Sequence, residues 1–229
     1  MDIFFNLSYN PFMRRFLYIL IALLILTANC SDAIALKPNS KQQSNTIIQS
    51  EKFVNITNQA NVLYAENDIK GAFNLFLTIP EEERTAQNWL LLGNILQDQG
   101  KLEEATFMYN KAIEVDDKYY KAYYNLGNIY LNDGRPNMAV EEYKKVIKIK
   151  PEYAYAHYNL GCAYIKLEKY GKAKFELLTA TDYKNNVADF HYNLAYVYKK
   201  LGKEKQAKTY LEYYLSLIHI SEPTRQAEI

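Results

Sequence analysis

From residue 86 onward, apolar and small residues recur along the chain with a period of 34. Leu92, Leu126, Leu160 and Leu194 mark the period, each followed by a small residue: Gly93, Gly127, Gly161 and Ala195. A second small row, Ala105, Ala139, Ala173 and Ala207, keeps the same spacing. Within each period the apolar positions fall at helical spacing in two stretches of about 13 residues, parted by a short polar turn. In the second period the pattern predicts one helix over Tyr120–Asp133 and another from Pro136 to Ile149. Pro136 suits a first helical turn, where its missing N–H has no helical partner in any case. Gly134 supplies the turn between the helices, as Gly100 and Gly202 do in their periods. Pro151 marks the stop of the second helix. The small residues are expected where the paired helices cross, the glycine row facing the alanine row, because a larger side chain there would push the backbones apart. Tyr130, Tyr164 and Tyr198, one turn beyond the leucines, fill the remaining gaps. One such hairpin cannot bury its apolar face alone, so the pattern demands stacked neighbours.

The text around these anchors reads Trp89-x-x-Leu92-Gly93, Tyr123-x-x-Leu126-Gly127, His157-x-x-Leu160-Gly161 and His191-x-x-Leu194-Ala195. With its 34-residue period and an Ala-x-x-x-Phe/Tyr signature downstream, this resembles the tetratricopeptide repeat (TPR), a helix–turn–helix unit. The resemblance covers residues 86–214 and implies an all-α fold, a right-handed superhelical solenoid of TPR helix-turn-helix repeats. The units fall at 86–119, 120–153, 154–187 and 188–214, the last one truncated. Residues 52–85 read as a degenerate N-terminal capping repeat. There Ala60, Leu63, Ala72, Phe76 and Ile79 match positions 8, 11, 20, 24 and 27, displaced by 33 residues, without the Trp and Leu-Gly anchors.

The two ends carry different messages. Arg14-Arg15, the 13-residue apolar run Phe16–Ala28 and the small residues after it form an export signal over 1–30. The run is shorter than the roughly 20 residues of a spanning helix. Leu26-Thr27-Ala28-Asn29-Cys30 resembles a bacterial lipobox, with Cys30 the lipidation site, although the Leu stands one place too far upstream and Asn29 replaces Gly or Ala. Ala33-Ile34-Ala35 offers an ordinary signal-peptidase site instead, and an uncleaved anchor is the third reading. Residues 31–51, rich in Ser, Asn, Gln and Lys, read as a flexible linker. At the other end, 215–229 resembles translated sequencing-adapter read-through, so the native chain is expected to be cut in the fourth unit's second helix near Tyr214. Residues 215–220 retain enough apolar character to be drawn as helix.

Composition then removes whole classes of function. The 27 Lys and Arg balance 26 Asp and Glu, which speaks against nucleic-acid binding. The balance hides a gradient: 51–117 holds 5 basic and 12 acidic residues, and 118–214 holds 17 basic and 10 acidic. That asymmetry fits drift on solvated faces, an oriented partner or self-association. Cys162 is left as a lone thiol and reads as a packing or groove-lining residue. His157 and His191 take the place of Trp89 and Tyr123 and are expected to pack. No Gly-rich phosphate loop, nucleophile elbow, H-E-x-x-H pair or metal-ligand spacing occurs, so neither catalysis nor a cofactor or metal is expected.

In the resembled family the concave face is built mainly from positions 2, 5, 6, 9, 12 and 13 of each first helix. The resemblance therefore implies a peptide- or protein-binding groove of Leu90, Asn94, Tyr124, Asn125, Asn128, Tyr158, Asn159, Cys162, Tyr192, Asn193 and Tyr196. Tyrosines give contact area at low entropy cost, and asparagine amides pair with peptide backbone. The cations of a carboxylate clamp are missing, since Leu90, Asn94, Asn128, Tyr155 and Asn159 hold the corresponding sites. The expected protein is a protein–protein interaction scaffold of the bacterial cell envelope, in the periplasm or tethered to the membrane by lipid. The alternative is the N-terminal appendage of an envelope enzyme, a transferase or peptidase. A self-assembling envelope component is a third reading.

Overall fold

A residue with left-handed backbone recurs at Asn67, Gly100, Gly134, Glu168 and Gly202, with φ between 56° and 74°. Each reverses the chain between two helices. The computed structural model describes residues 40–221; the stretch expected to be an export signal, Cys30 and the end of the tail lie outside them. The chain divides into Met1–Asn55 and Ile56–Ile229. Of the first unit, the described part is a stretch of helix. The second is an all-α stack of hairpins, as the repeat pattern requires.

In chain order the helices are α1 (Ser40–Ala65), α2 (Ile69–Leu77), α3 (Ala86–Asp98), α4 (Leu102–Val115), α5 (Tyr120–Asn132), α6 (Pro136–Ile149), α7 (Ala154–Lys166), α8 (Tyr170–Tyr183), α9 (Ala188–Lys200) and α10 (Glu204–Ser221). A single 3₁₀ turn, Glu81–Glu83, precedes α3. The pairs α3/α4, α5/α6, α7/α8 and α9/α10 form the hairpins, and each second helix also packs on the first helix of the next pair. Below, the first residues of α3, α5, α7 and α9 are position 1 of units one to four.

Local chemistry sets these boundaries. Thr85 caps α3 reciprocally: its Oγ1 accepts from the Asn88 amide at 3.2 Å, and Asn88 Oδ1 accepts from the Thr85 amide at 2.9 Å. Asn88 is buried and also donates to Thr57 Oγ1 at 2.9 Å, tying α1 to α3. Tyr64 adds a second tie, donating to Asp98 at 2.8 Å. Asp68 caps α2 through the Gly71 amide. Pro136 opens α6 as expected. Inside, a continuous core runs through Tyr143, Leu160, Leu177, Leu194 and Val197. Side chains of this size contribute about 1.5–3 kcal/mol each when fully buried.

Two expectations change. The glycine row accommodates more than the alanine row, although Gly161 does lie near the Ala173 carbonyl. A Cβ on Gly93 would run into the ring of Tyr109, and one on Gly127 would lie 2.6 Å from Tyr143 Cε1. Position 24, four residues beyond the alanine, is therefore what the glycine accommodates. Gly161 lies against Leu177, and only in unit four, where Leu211 takes position 24, does alanine replace glycine, as Ala195. Second, residues 40–51 of the expected linker belong to α1; no Gly or Pro interrupts them, so the helix extends backward unchecked. Residues 31–39 lie outside the described residues. As the apolar character of 215–220 led one to expect, α10 continues through Leu215, Leu217 and Ile218 to Ser221.

Candidate functional site

Position 5, 6 and 9 side chains of successive first helices meet at each junction between units, and position 24 of the second helix joins them. At the first junction, Asn94 Oδ1 accepts from Tyr109 Oη at 2.9 Å and from Asn125 Nδ2 at 2.8 Å. At the second, Asn128 Oδ1 accepts from Tyr143 Oη at 2.7 Å and from Asn159 Nδ2 at 2.8 Å. Asn159 also donates to Tyr124 Oη at 3.0 Å. At the third, Asn193 Nδ2 donates to Tyr158 Oη at 2.9 Å and to Cys162 Sγ at 3.3 Å. One asparagine per junction thus reaches back and fastens its unit to the one before it. These bonds run between half-buried groups, and each contributes about 0.5–1.5 kcal/mol net.

The expected groove residues divide by what they do. Asn125, Asn159 and Asn193 are donors of the ladder; Asn94, Asn128 and Cys162 are its acceptors. Tyr124 and Tyr158 are half-buried, and Tyr158 stacks on buried Phe190 with ring centroids 4.6 Å apart. Leu90 is buried. Tyr192 and Tyr196, with no further unit beyond them in the described residues, remain 51% and 38% exposed. Position 24 was visible in the sequence only as a packing residue. That Tyr109 and Tyr143 also donate to the ladder follows from the glycine opposite each ring, which lets the phenol reach across.

Burial and bonding set the acidity of the ladder. Burial pushes the phenols of Tyr109, Tyr143 and Tyr158 well above the ordinary tyrosine value, so each stays an O–H donor. Burial likewise raises the Cys162 thiol to about 11, despite the opposing hydrogen bonds from Tyr158 and Asn193. A thiol held protonated is a poor nucleophile.

The histidines do more than pack. His157 Nε2 lies 2.8 Å from the Pro151 carbonyl, and Nδ1 lies 2.8 Å from Glu176. Both partners only accept, so both ring nitrogens carry protons. His191 repeats the first bond, to the Asn185 carbonyl at 2.6 Å, as Tyr123 does to Asp117. Its Nδ1 has no partner, because Tyr210 stands where unit three has Glu176. Position 4 therefore pins the loop that enters each of these units.

Two open hollows lie along the groove residues. One, of about 330 Å³, is lined by Gln87, Leu90, Leu91, Asn94, Tyr119, Lys121, Tyr124, Asn125 and Tyr153. The other, of about 380 Å³, is lined by Tyr192, Ala195, Tyr196, Lys199, Glu204, Ala207, Lys208 and Leu211. Among the described residues no group of three or more His, Cys, Asp or Glu could hold a metal ion, and no helix is long and apolar enough to cross a membrane.

Stacked two-helix units joined by an amide ladder, with open hollows beside it, define a helical-repeat scaffold for protein interaction. Sequence profiles described as TPR repeat match residues 93–134 and 134–168, and those described as tetratricopeptide repeat match 154–187 and 188–217. The chain belongs to the tetratricopeptide repeat family. Among solved structures, that of MamA superposes with a TM-score of 0.64 at 20% identity, covering 71% of this chain and 95% of that one. MamA 41-end from Desulfovibrio magneticus RS-1 gives 0.66 at 18% identity, covering 73% and 96%. A further structure, titled crystal structure of MamA protein, gives 0.63 at 19%, covering 77% and 97%. At this identity the likeness speaks for the fold. No curated protein matches the sequence.

Proposed function

We propose that this chain is a binding scaffold of the bacterial cell envelope that captures a peptide segment of a partner protein along the Tyr/Asn face of its first helices. The observation that carries this is the pair of hollows, which open beside Leu90, Asn94, Tyr124 and Asn125 at one end and Tyr192 and Tyr196 at the other. Large, rigid, partly exposed tyrosines beside an amide row give apolar contact together with backbone hydrogen bonding, which suits a peptide more than a small polar metabolite.

Tyr192 and Tyr196 are the residues to test, because their rings are the most exposed of the set. Replacing both by Ala is expected to weaken capture of the partner from envelope extract by at least about tenfold, as loss of two aromatic anchors does. The circular dichroism spectrum should stay that of the parent. Undiminished capture by a folded double variant would move the binding face elsewhere.

Export and tethering rest on the Arg14-Arg15 and apolar-run pattern and on Cys30. In cells fed labelled palmitate, the parent chain is expected to take up label and Cys30→Ser to lose it. Label retained by the variant, or absent from the parent, would refute the anchor.

A further inference from the structure

Positions 13 to 22 carry each unit from the end of its first helix, through the turn, into its second. Unit one (98–107) holds one basic and three acidic residues there, and unit two (132–141) one and two. Unit three (166–175) and unit four (200–209) each hold four lysines and a single carboxylate, Glu168 and Glu204. The cations of the two halves are also kept differently. Four of the nine from Lys101 to Lys150 pair with a carboxylate: Lys111, Arg135, Lys144 and Lys145. Of the ten lysines from Lys166 to Lys208, among the described residues only Lys208 does, with Glu212 at 4.0 Å. Lys166, Lys169, Lys172, Lys200, Lys203 and Lys205 are all exposed. Lys172 and Lys200 lean over the rings of Tyr164 and Tyr196, which leaves their charge unneutralised. Position 22 then supplies an internal comparison. Phenylalanine stands there in units one and three, 56% exposed as Phe107 and 65% exposed as Phe175. Phe107 follows Glu103 and Glu104 by one turn, and Lys111, already paired with Glu114, lies over its ring. Phe175 has Gly171 and Lys172 at those two places, and a Cβ on Gly171 would meet nothing within 4 Å. Asp182 is on the same face of α8, but two turns further along. The Phe175 ring thus stands clear beside a field of unpaired cations.

We infer that the turn edge of units three and four is a membrane-contact surface: its lysines meet the headgroups of anionic phospholipid, and the Phe175 ring enters the boundary between headgroups and acyl chains. Lys166 and Lys200 hold one repeat position, and Lys169 and Lys203 another, so the charges recur from one unit to the next. A laterally mobile sheet of phosphates can meet point charges spread over two units, where one acidic peptide segment meets only a few of them. An exposed aromatic beside lysines is also how a helical surface settles into a lipid interface, the ring in the apolar boundary and the cations in the headgroup layer. The acidic edge of unit one is repelled by the same surface, so the contact has a direction along the stack. This surface shares none of its residues with the groove set, and the inference stands apart from that reading.

The test is tryptophan quenching by vesicles of brominated phosphatidylglycerol. Trp89, the one tryptophan of the chain, is 3% exposed and serves as the blank. Phe175→Trp and Phe107→Trp each add an indole at an exposed site, where the fold tolerates it. All variants are made in the full-length chain carrying Cys30→Ser, so that acylation plays no part and the apolar run Phe16–Ala28 is common to all of them. F175W is expected to be quenched as vesicles are added, while the parent and F107W are not. Vesicles of brominated phosphatidylcholine should leave all three unquenched. Adding Lys169→Gln and Lys203→Gln to F175W should raise the lipid needed for half-quenching by roughly 25-fold, about fivefold for each cation removed. High salt should weaken the quenching in the same sense. An unquenched F175W, equal quenching of F107W, or equal quenching on phosphatidylcholine overturns the proposal. If F175W stays unquenched while the two lysine changes abolish partner capture from envelope extract, the edge docks an acidic protein and the membrane surface fails. The pair Tyr192→Ala and Tyr196→Ala keeps the two readings apart. Capture lost in that variant with F175W unquenched sinks the membrane surface alone; capture undiminished with F175W quenched sinks the groove alone.

Discussion

At the scale of single residues, the same position takes different hydrogen-bond surroundings in neighbouring units. His157 is held between the Pro151 carbonyl and Glu176, with the Tyr183 ring 5.7 Å away. Burial pulls its ring toward the neutral form, but the bonds to Glu176 and Pro151 and the Glu176 charge outweigh it, so its pKa is raised. A raised folded-state value means that the imidazolium stabilises the fold fully below the unfolded histidine value of about 6.5 and is lost as pH rises through the folded value. Thermal melts are therefore expected to show Tm falling as pH rises above about 6.5, and His157→Gln should flatten that slope. A parent slope left unchanged by the substitution would contradict this. His191, whose Nε2 also meets a carbonyl, lacks the carboxylate and keeps an unpartnered Nδ1. The sequence showed both histidines at one repeat position and assigned them to packing. The difference between them lies 19 residues downstream, in Glu176 against Tyr210, and becomes visible only when the second helix is folded back.

At the scale of elements, the five left-handed turn residues show how far the pattern could be read. Gly100, Gly134 and Gly202 announce the turn, because glycine adopts positive φ without a Cβ penalty. Asn67 and Glu168 occupy the same conformation, with φ of 65° and 56°. Asparagine tolerates this region; glutamate carries a cost of about 1–2 kcal/mol. Glu168→Gly is accordingly expected to stabilise the chain by about 1 kcal/mol and raise Tm by a few degrees. A lowered Tm would mean that the Glu168 side chain has a role beyond the turn. Helix order, hairpin pairing and the Leu core were legible because a 34-residue period repeats its own evidence four times. The glycine row was assigned to the alanine row alone, since spacing does not say which larger residue of the facing helix also crosses it. The length of α1 was missed for a related reason: the polar composition of 40–51 argues for a linker, yet contains no Gly or Pro to stop a helix arriving from Ala65.

At the scale of the whole molecule, the groove residues were assigned by family position, and the bonds they make were not. Asn125, Asn159 and Asn193 read as groove amides, part of a family consensus in which asparagine also bonds within the scaffold; in the fold most of their donors serve the junctions between units. The acidic-to-basic gradient along the chain runs in the same direction as the ladder, from the unit of Leu90 to that of Tyr192. Every rung has the same polarity, the later unit donating and the earlier one accepting. A ligand that offers the amide row a better acceptor thus draws on the atoms that hold one unit to the next. On the proposed groove reading, recognition would borrow the hydrogen bonds that stiffen each junction, so that occupying the face and changing the pitch of the stack would be one mechanical event.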